Sequence, residues 1–540
     1  MLRAFLLACA IVAWGGETAY AEDAPPMNFV VKAYQVEGDN PLGSAASEAL
    51  TPFVGEFDGI EPLYAAQDAL NSALANAGFR FYRAILPPQE LDTGTIILKV
   101  VAMPVGKVTV EGAKYTTPEA VQRSLPPLQS GLVPNTRAVS RALAVANEHP
   151  SKHLQVNFRA SEETPDALDA VVKVTEEKPW SLFAQINNIG NESEGPRSGA
   201  DTTAGNNAGT GRTRLTMGGQ YNNISRHDDI LSGSVTTSPE NADNVMQYMT
   251  SYQLPVYALS GWLSAFYVHS EVDVNDVANA FDIQGAGTFY GLSYKHQLLN
   301  RGRLKHSISL SIQDRLFDTA IFGANGGARN PALSNKVRSR PLALRYDGGL
   351  LWSATSLDFY VDIARNIESG QHSSASFYTL VREPARPDFT VAHFGALVTQ
   401  RLPRGFNFVS RMTAQLTDRA LIPGEQLGFG GVHSVRGFEE RTIAGDKGVI
   451  LNFELWSPPV PQAFGARFLG FVDVGHKALE DPVIGQREND TISSIGVGTR
   501  WQWRKQLSLA IDYGLPLESA DGEASDRGNS KWHLDLSYRY

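Results

Sequence analysis

The sequence predicts two small α+β modules followed by an antiparallel transmembrane β-barrel of about sixteen strands. Three observations lead there. A strand, helix, helix, strand, strand pattern occurs twice before residue 179. After Trp180 the chain changes to alternating segments of about ten residues, the length a membrane-crossing strand needs. Short turns then exchange regularly with long polar loops.

Composition sets the outer bounds. The 540 residues carry 57 acidic and 47 basic side chains, a formal charge of −10, so no broad basic face is on offer to phosphate and no nucleic-acid partner is expected. Arg3, the apolar stretch 4–14 and Ala19-Tyr20-Ala21 read as a signal peptide over 1–21, cleaved after Ala21. Its apolar part is too short for a membrane helix, which needs about 20 residues. Cys9 is the only cysteine, and a lipoprotein cleavage there would truncate the apolar segment. The mature chain is therefore expected to hold no disulfide and no thiolate metal site. No later segment approaches a spanning helix, so composition leaves both a soluble periplasmic protein and an outer-membrane barrel open.

The two modules are placed at 22–103 and 104–179. One strand, FVVKAYQVEG, ends in Val36-Glu37-Gly38, and a second, VGKVTVEG, ends in Val110-Glu111-Gly112. The later strands ILKVV and VVKVT set Lys99 and Lys173 at the same 74-residue offset, a plausible module length. Between the strands, Leu63, Ala66, Leu70 and Leu74 share one helical face in the first unit. Val139, Ala142, Leu143 and Ala146 do so in the second, where Thr117-Pro118 forms an N-cap and first-turn pair. Two packing domains with no further role would give the same pattern.

The barrel is expected over 180–540. In its last strand Trp532, Leu534, Leu536, Tyr538 and Tyr540 point one way, and His533, Asp535, Ser537 and Arg539 the other. Leu507, Leu509, Ile511 and Tyr513 alternate likewise with Ser508, Ala510 and Asp512. Alternation has no direction, so a soluble sandwich fits it too; loop lengths decide. Short links near Pro255, Asn300, Gly348, Pro403, Pro458 and Lys505 separate long loops at 193–209, 239–246, 269–280, 315–337, 365–389, 418–445, 475–491 and 516–531. Brief periplasmic turns and extended external loops are the asymmetry of an outer-membrane barrel. A barrel of this size holds either a water channel or a plug.

One stretch raises a chemical question. GGVHSVRGFEERTIAGDKG, residues 430–448, fences an arginine inside Val435-Arg436-Gly437-Phe438. It begins within the sixth long loop, 418–445, between strands eleven and twelve. On strand thirteen lies Phe471-Val472-Asp473-Val474-Gly475, where Phe471 and Asp473 share a face opposite Val472 and Val474. A carboxylate facing lipid is costly, so Asp473 is expected in the lumen. A loop folding back into the barrel would bring Arg436 to Asp473, where guanidinium and carboxylate can pair bidentately.

The V-R-G-F of the sixth loop and the F-x-D-x-G of strand thirteen resemble the two signature motifs of the BamA-like superfamily of outer-membrane proteins. The aromatic end of WHLDLSYRY, with Trp532, Tyr538 and Tyr540, looks like that superfamily's barrel-assembly signal, and the two modules look like its periplasmic POTRA domains. NAGFRFYRAILPPQELDTG, residues 76–94, together with the count of two modules, resembles the two-partner secretion transporters of the haemolysin secretion/activation (ShlB/FhaC/HecB) type.

The resemblance implies capture of an unfolded exoprotein client of the TpsA kind by the POTRA domains and its export through the barrel. It also implies an outer-membrane lipid environment, partnership with the barrel-assembly machinery during biogenesis, and a client-binding part for Phe79, Leu86 and Gln89, residues for which core packing is the commoner explanation. Relatives often carry an N-terminal plug helix; fewer than ten residues separate Ala21 from the first strand, so closure is expected to rest on the sixth loop or on others.

No phosphate-binding loop is present, His433 and Ser434 have no catalytic frame, and eleven histidines show no ligand spacing. No catalytic residue, metal or cofactor is expected. Two rival functions remain: a BamA-type insertase and a passive porin, the second of which leaves the modules unexplained.

Overall fold

The computed structural model describes residues 28–190, 211–240, 242, 245–270, 286–319, 335–519 and 530–540. The expected signal peptide and all or much of loops 193–209, 269–280, 315–337 and 516–531 lie outside the described residues. The described residues form two compact units, divided between Met103 and Pro104.

The first unit runs β1 (Asn28–Val31), β2 (Ala33–Gly38), α1 (Ser44–Leu50), β3 (Gly55–Asp58), α2 (Glu61–Asn76), β4 (Tyr82–Ile85) and β5 (Thr95–Ala102). The opening strand expected as one piece is two. Its first half pairs antiparallel with β3 and its second lies parallel to β5, so the chain breaks at Lys32. The α2 helix buries Leu63, Ala66, Leu70 and Leu74, each leucine contributing roughly 1.5–3 kcal/mol by leaving water.

In the second unit come β6 (Val105–Glu111), α3 (Pro118–Arg123), α4 (Thr136–Ala146), β7 (Lys152–Ala160) and β8 (Leu168–Glu176). Thr117 caps α3 by accepting from the Ala120 N–H at 3.3 Å. The α4 helix buries Val139, Ala142, Val145 and Ala146; Leu143, expected in that set, sits half-exposed at the edge of the core. The 74-residue repeat is a repeat of structure. Glu37 lies across from Lys99 in the β2–β5 pair, and Glu111 across from Lys173 in β6–β8. Each V-E-G ends at a positive-φ glycine, where a Cβ would stand 2.3 Å from the Val100 carbonyl oxygen or 2.5 Å from that of Val174. No side chain fits there.

The barrel opens with β9 (Trp180–Asn187), β10 (Arg214–Asn222), β11 (Ile230–Thr237), β12 (Met246–Val256), β13 (Gly261–Ser270) and β14 (Gly287–Gln297). It continues with β15 (Leu304–Thr319), then one strand interrupted at Arg340 into β16 (Asn335–Ser339) and β17 (Pro341–Leu351), and β18 (Thr355–Asn366). The helix α5 (Ala375–Val381) precedes β19 (Thr390–Arg401) and β20 (Asn407–Thr417). A short loop ladder, β21 (Leu427–Phe429) with β22 (Ile443–Gly445), precedes β23 (Lys447–Trp456), β24 (Arg467–Ala478), β25 (Asn489–Trp503), β26 (Leu507–Glu518) and β27 (Lys531–Arg539). With β16 and β17 counted as one, sixteen antiparallel strands close through β27–β9. None of the described helices is long and apolar enough to cross a membrane.

Alternation now acquires a direction. Leu310 and Ile312 on β15, Leu342 and Leu344 on β17, and Trp532, Leu534 and Tyr538 on β27 are exposed on the outer face, whereas Asp473, Asp512 and His533 are buried within. The link expected near Gly348 lies further on: β17 runs to Leu351, and the turn is at 352–354. A further turn, at 223–229, is not among the expected short links.

That turn joins the second module to the barrel. The Lys152 ammonium pairs with Asp228 at 2.7 Å, both side chains nearly dry, and the Tyr257 hydroxyl donates to the same carboxylate. Val145, Ile230 and Trp262 form one buried cluster, with the Trp262 indole donating to the Val145 carbonyl.

A charged clasp inside the barrel

The chain enters the barrel from the second module, so odd-numbered links lie on the opposite rim, and the sixth of these returns into the lumen. Gly431 and Val435 close a tight turn, and Val435 and Phe438 bury themselves with Phe429, Ile443, Ile450 and Ile492. The apolar neighbours that fence Arg436 in the sequence are thus a small core that fixes the loop against β23 and β25.

Arg436 reaches Asp473 by one edge of its fork. Its Nε donates to Oδ2 at 2.8 Å and its Nη2 to Oδ1 at 2.9 Å, while its backbone N–H donates to Oδ2 at 3.1 Å. The Asn452 amide completes the carboxylate, donating to Oδ1 at 2.9 Å and to the Ser434 carbonyl at 2.6 Å. Asp473 is wholly buried and Arg436 is 3 % exposed. A charge pair at that depth persists only when its hydrogen bonds are nearly all made. The remaining Nη1 meets Glu454 at 2.7 Å, with Asp512 at 3.8 Å, and Asp512 is itself held bidentately by Arg500. Two guanidinium groups thus face three carboxylates. The Arg436 guanidinium lies 3.6 Å from the centre of the Phe471 ring, a cation–π contact.

Three glycines make this approach possible. At Gly475 a Cβ would stand 2.8 Å from Phe429 and 3.0 Å from Val435. Gly437 sits at φ +91° against Gly514, where a Cβ would come 2.5 Å from the Gly437 nitrogen. The Gly437 N–H donates to the His533 Nε2 at 3.0 Å. Ser434, next to His433, accepts from the Gly430 N–H through its hydroxyl, a loop-forming contact.

The other expected site residues lie apart from this clasp. Phe79 and Leu86 pack against the core of the first module, and the Gln89 amide bonds both the N–H and the carbonyl of Ile97, extending the sheet as a strand would. Trp532, Tyr538 and Tyr540 face outward; Tyr540 stacks on Trp180 at 5.3 Å with the Lys178 ammonium 4.7 Å from its ring. Glu454, Asn452, Asp512, Arg500, His533 and Gly514 join the clasp without having been expected in it. Strand alternation was the signal for three of them: Glu454 sits between outward Phe453 and Leu455, and Asp512 and His533 lie on the polar face of their strands.

The profile of the haemolysin secretion/activation protein ShlB/FhaC/HecB matches residues 168–501, and that of the ShlB-type POTRA domain matches residues 29–102. The chain belongs to the haemolysin secretion/activation family. Its relatives include the outer membrane transporter CdiB of Escherichia coli O6:K15:H31, 23 % identical over 97 % of this chain and 84 % of the relative. The heme/hemopexin transporter protein HuxB of Haemophilus influenzae is 20 % identical over 87 % of this chain and 80 % of its own length. The solved structure of CdiB from Escherichia coli shares the fold, with a TM-score of 0.74 and 18 % identity over 97 % of this chain and 93 % of the other. Like these family members, the chain is an outer-membrane transporter with a β-barrel in the membrane and POTRA domains in the periplasm.

Proposed function

We propose that this protein exports a co-encoded exoprotein by two-partner secretion, its POTRA domains receiving the unfolded client and the barrel lumen conducting it. The observation that carries this reading is a loop anchored inside a closed barrel. The β9–β27 seam is bonded along its length: past the ladder, Leu182 and Tyr540 exchange backbone bonds, and the Asn188 amide pairs with Trp532 and Leu534. An insertase that templates new strands needs an unpaired edge; here the adaptable element is the tethered loop in the lumen.

The POTRA modules offer what an extended client can use. In their sheets β2 and β6 are each paired on one side only. Beside β6 a groove of about 670 Å³ runs between Lys107 and Val108 and the α3 residues Glu119, Gln122 and Arg123. Main-chain bonding at such an edge recognises an unfolded chain with little regard to sequence. Phe79, Leu86 and Gln89 serve this function by keeping the first module's sheet in shape. The Tyr540 end serves delivery of the barrel to the assembly machinery, and no catalytic step is required. A porin is disfavoured because apolar side chains fill part of the lumen.

The test is co-expression with a candidate exoprotein encoded by a neighbouring gene and assay of the medium, with barrel abundance as control. Export that needs both the barrel and Arg436 supports the reading. Unchanged export without the barrel, or defective assembly of other barrels on its deletion, overturns it.

A further inference from the structure

Lumen walls of water-filled barrels are polar, yet part of this one is not. Phe266 and Val268 on β13, Phe289 on β14, Phe317 on β15 and Val337 on β16 alternate with outward-facing neighbours such as Tyr267 and Tyr290, so they point inward. They are covered by the fifth external loop, residues 367–389: Tyr378 of α5, Ala385 and Phe389 pack into the same buried cluster, joined by Leu421 and Ile422 of the sixth loop. Tyr378 is fully buried; its hydroxyl donates to the Arg338 carbonyl at 3.0 Å and accepts from Asn366 at 3.2 Å. A short helix thus stands inside the barrel on an apolar seat.

What holds it is a second buried ion pair. Arg382, the residue after α5, donates from Nη1 to Asp446 Oδ1 at 2.6 Å and from Nη2 to Oδ2 at 3.0 Å. The same guanidinium bonds the carbonyls of Leu421, on the outgoing limb of the sixth loop, and Glu480, in the seventh. Asp446, at the root of the returning limb, also accepts from Leu421 N–H, Gln426 and Glu480 N–H. Arg382 is 5 % exposed and Asp446 not at all. Three loops therefore meet at one pair, which shares no residue with the Arg436 clasp. That clasp ties the sixth loop to the wall; the Arg382 pair ties the fifth loop to the sixth.

We propose that the fifth loop is the channel's outer gate, with α5 as its plug and Arg382–Asp446 as its latch. An open pore needs the apolar seat on β13–β16 uncovered, and α5 can leave it without breaking any barrel strand, because its links to the wall are side-chain contacts and loop hydrogen bonds. Breaking the latch loosens the fifth loop while the sixth stays clasped by Arg436. The inference rests on the transporter reading, but its test uses no client.

Arg382→Ala and Tyr378→Ala barrels are purified and examined in planar bilayers, and cells carrying them are tested for sensitivity to a large antibiotic that the outer membrane normally excludes. Heat-modifiable migration confirms a folded barrel. Expected are open events at least tenfold more frequent than in wild type and a matching rise in sensitivity, with Arg382→Lys intermediate. Folded variants with wild-type conductance and sensitivity overturn the gate. If neither alanine variant folds, residues 373–386 are replaced by a flexible linker of equal length. A leaky linker barrel supports the gate; a tight one, or one that cannot assemble, shows the loop to be a fixed part of the wall and overturns it. Secretion is scored in parallel: unchanged leak with intact export sinks the gate alone, whereas leaky variants beside wild-type cells whose export is unchanged when the barrel is deleted sink the transporter reading alone.

Discussion

Replacing Arg436 by alanine removes the side chain that holds the sixth loop in the lumen. The variant leaves Asp473, Glu454 and Asp512 facing one another with Arg500 as the only cation of the cluster. Breaking a buried pair on one side costs about 3–5 kcal/mol. Asp473 keeps two donors, the backbone N–H of residue 436 and the Asn452 amide, so the low end applies. A loss of about 3 kcal/mol raises the undocked fraction of the loop roughly 100-fold. Arg436→Lys keeps the charge and loses the fork, for about 1–2 kcal/mol. The assay is cleavage within 432–442 by a broad-specificity protease added to intact cells, a rate that follows the open population when reclosing is fast. Heat-modifiable migration and secreted client are read alongside. A double-mutant cycle with Asp473→Asn should return a coupling of about 2–3 kcal/mol. Wild-type protection in Arg436→Ala, or a coupling near zero, would refute the clasp; lost secretion with full protection would refute the link between docking and export.

Gly514→Ala places a Cβ 2.5 Å from the Gly437 nitrogen. The sixth loop should shift at a cost of about 1–3 kcal/mol, seen as faster cleavage of the loop with barrel abundance unchanged. Lys152→Met leaves Asp228 buried without its cation, so the junction between the second POTRA module and the barrel should weaken by about 3–5 kcal/mol. Limited proteolysis at that junction reports it, and adding Asp228→Asn should restore much of the loss. Burial, helped by the Lys152 ammonium and opposed by Asp228, Glu176 and Asp229, pushes His149 down to about 4, so the folded junction refuses a proton that the unfolded chain accepts below about 6.5. Junction stability should therefore be full above pH 6.5 and fall by about 3 kcal/mol as pH drops to 4, read as accelerated cleavage that His149→Leu abolishes; equal acid sensitivity in the variant would count against it.

What the sequence disclosed, and what it hid, follows one physical divide. Strand periodicity put Trp532 in lipid and Asp473 in the lumen, because a face that touches hydrocarbon admits few polar residues. The V-E-G repeats marked equivalent strands, because a glycine is forced where the chain closes on the Val100 or Val174 carbonyl. The Arg436–Asp473 encounter could be inferred because one end was a lone cation among apolar residues and the other a lone carboxylate on an apolar strand. Arg382 and Asp446 offered no such contrast. Both sit in polar loops where any charge looks solvated, and only tertiary folding removes them from water. Likewise Lys32 breaks the first strand because two different partners claim its halves, a decision made far away in the chain. Gln89, offered by the resemblance as a client-binding residue and by its setting as a packing one, spends its amide on the Ile97 backbone, a partner that only folding brings near.

The most direct test of export through the lumen uses two neighbouring residues on one strand. Ser309 of β15 lies opposite Arg345 and faces inward, while Leu310 is exposed on the outer face. A photo-crosslinking side chain is placed at each position in turn, and a client fused to a tightly folded C-terminal domain is allowed to stall in transit. The account predicts client adducts at position 309 and none at 310. Adducts at 310 without any at 309 would contradict it.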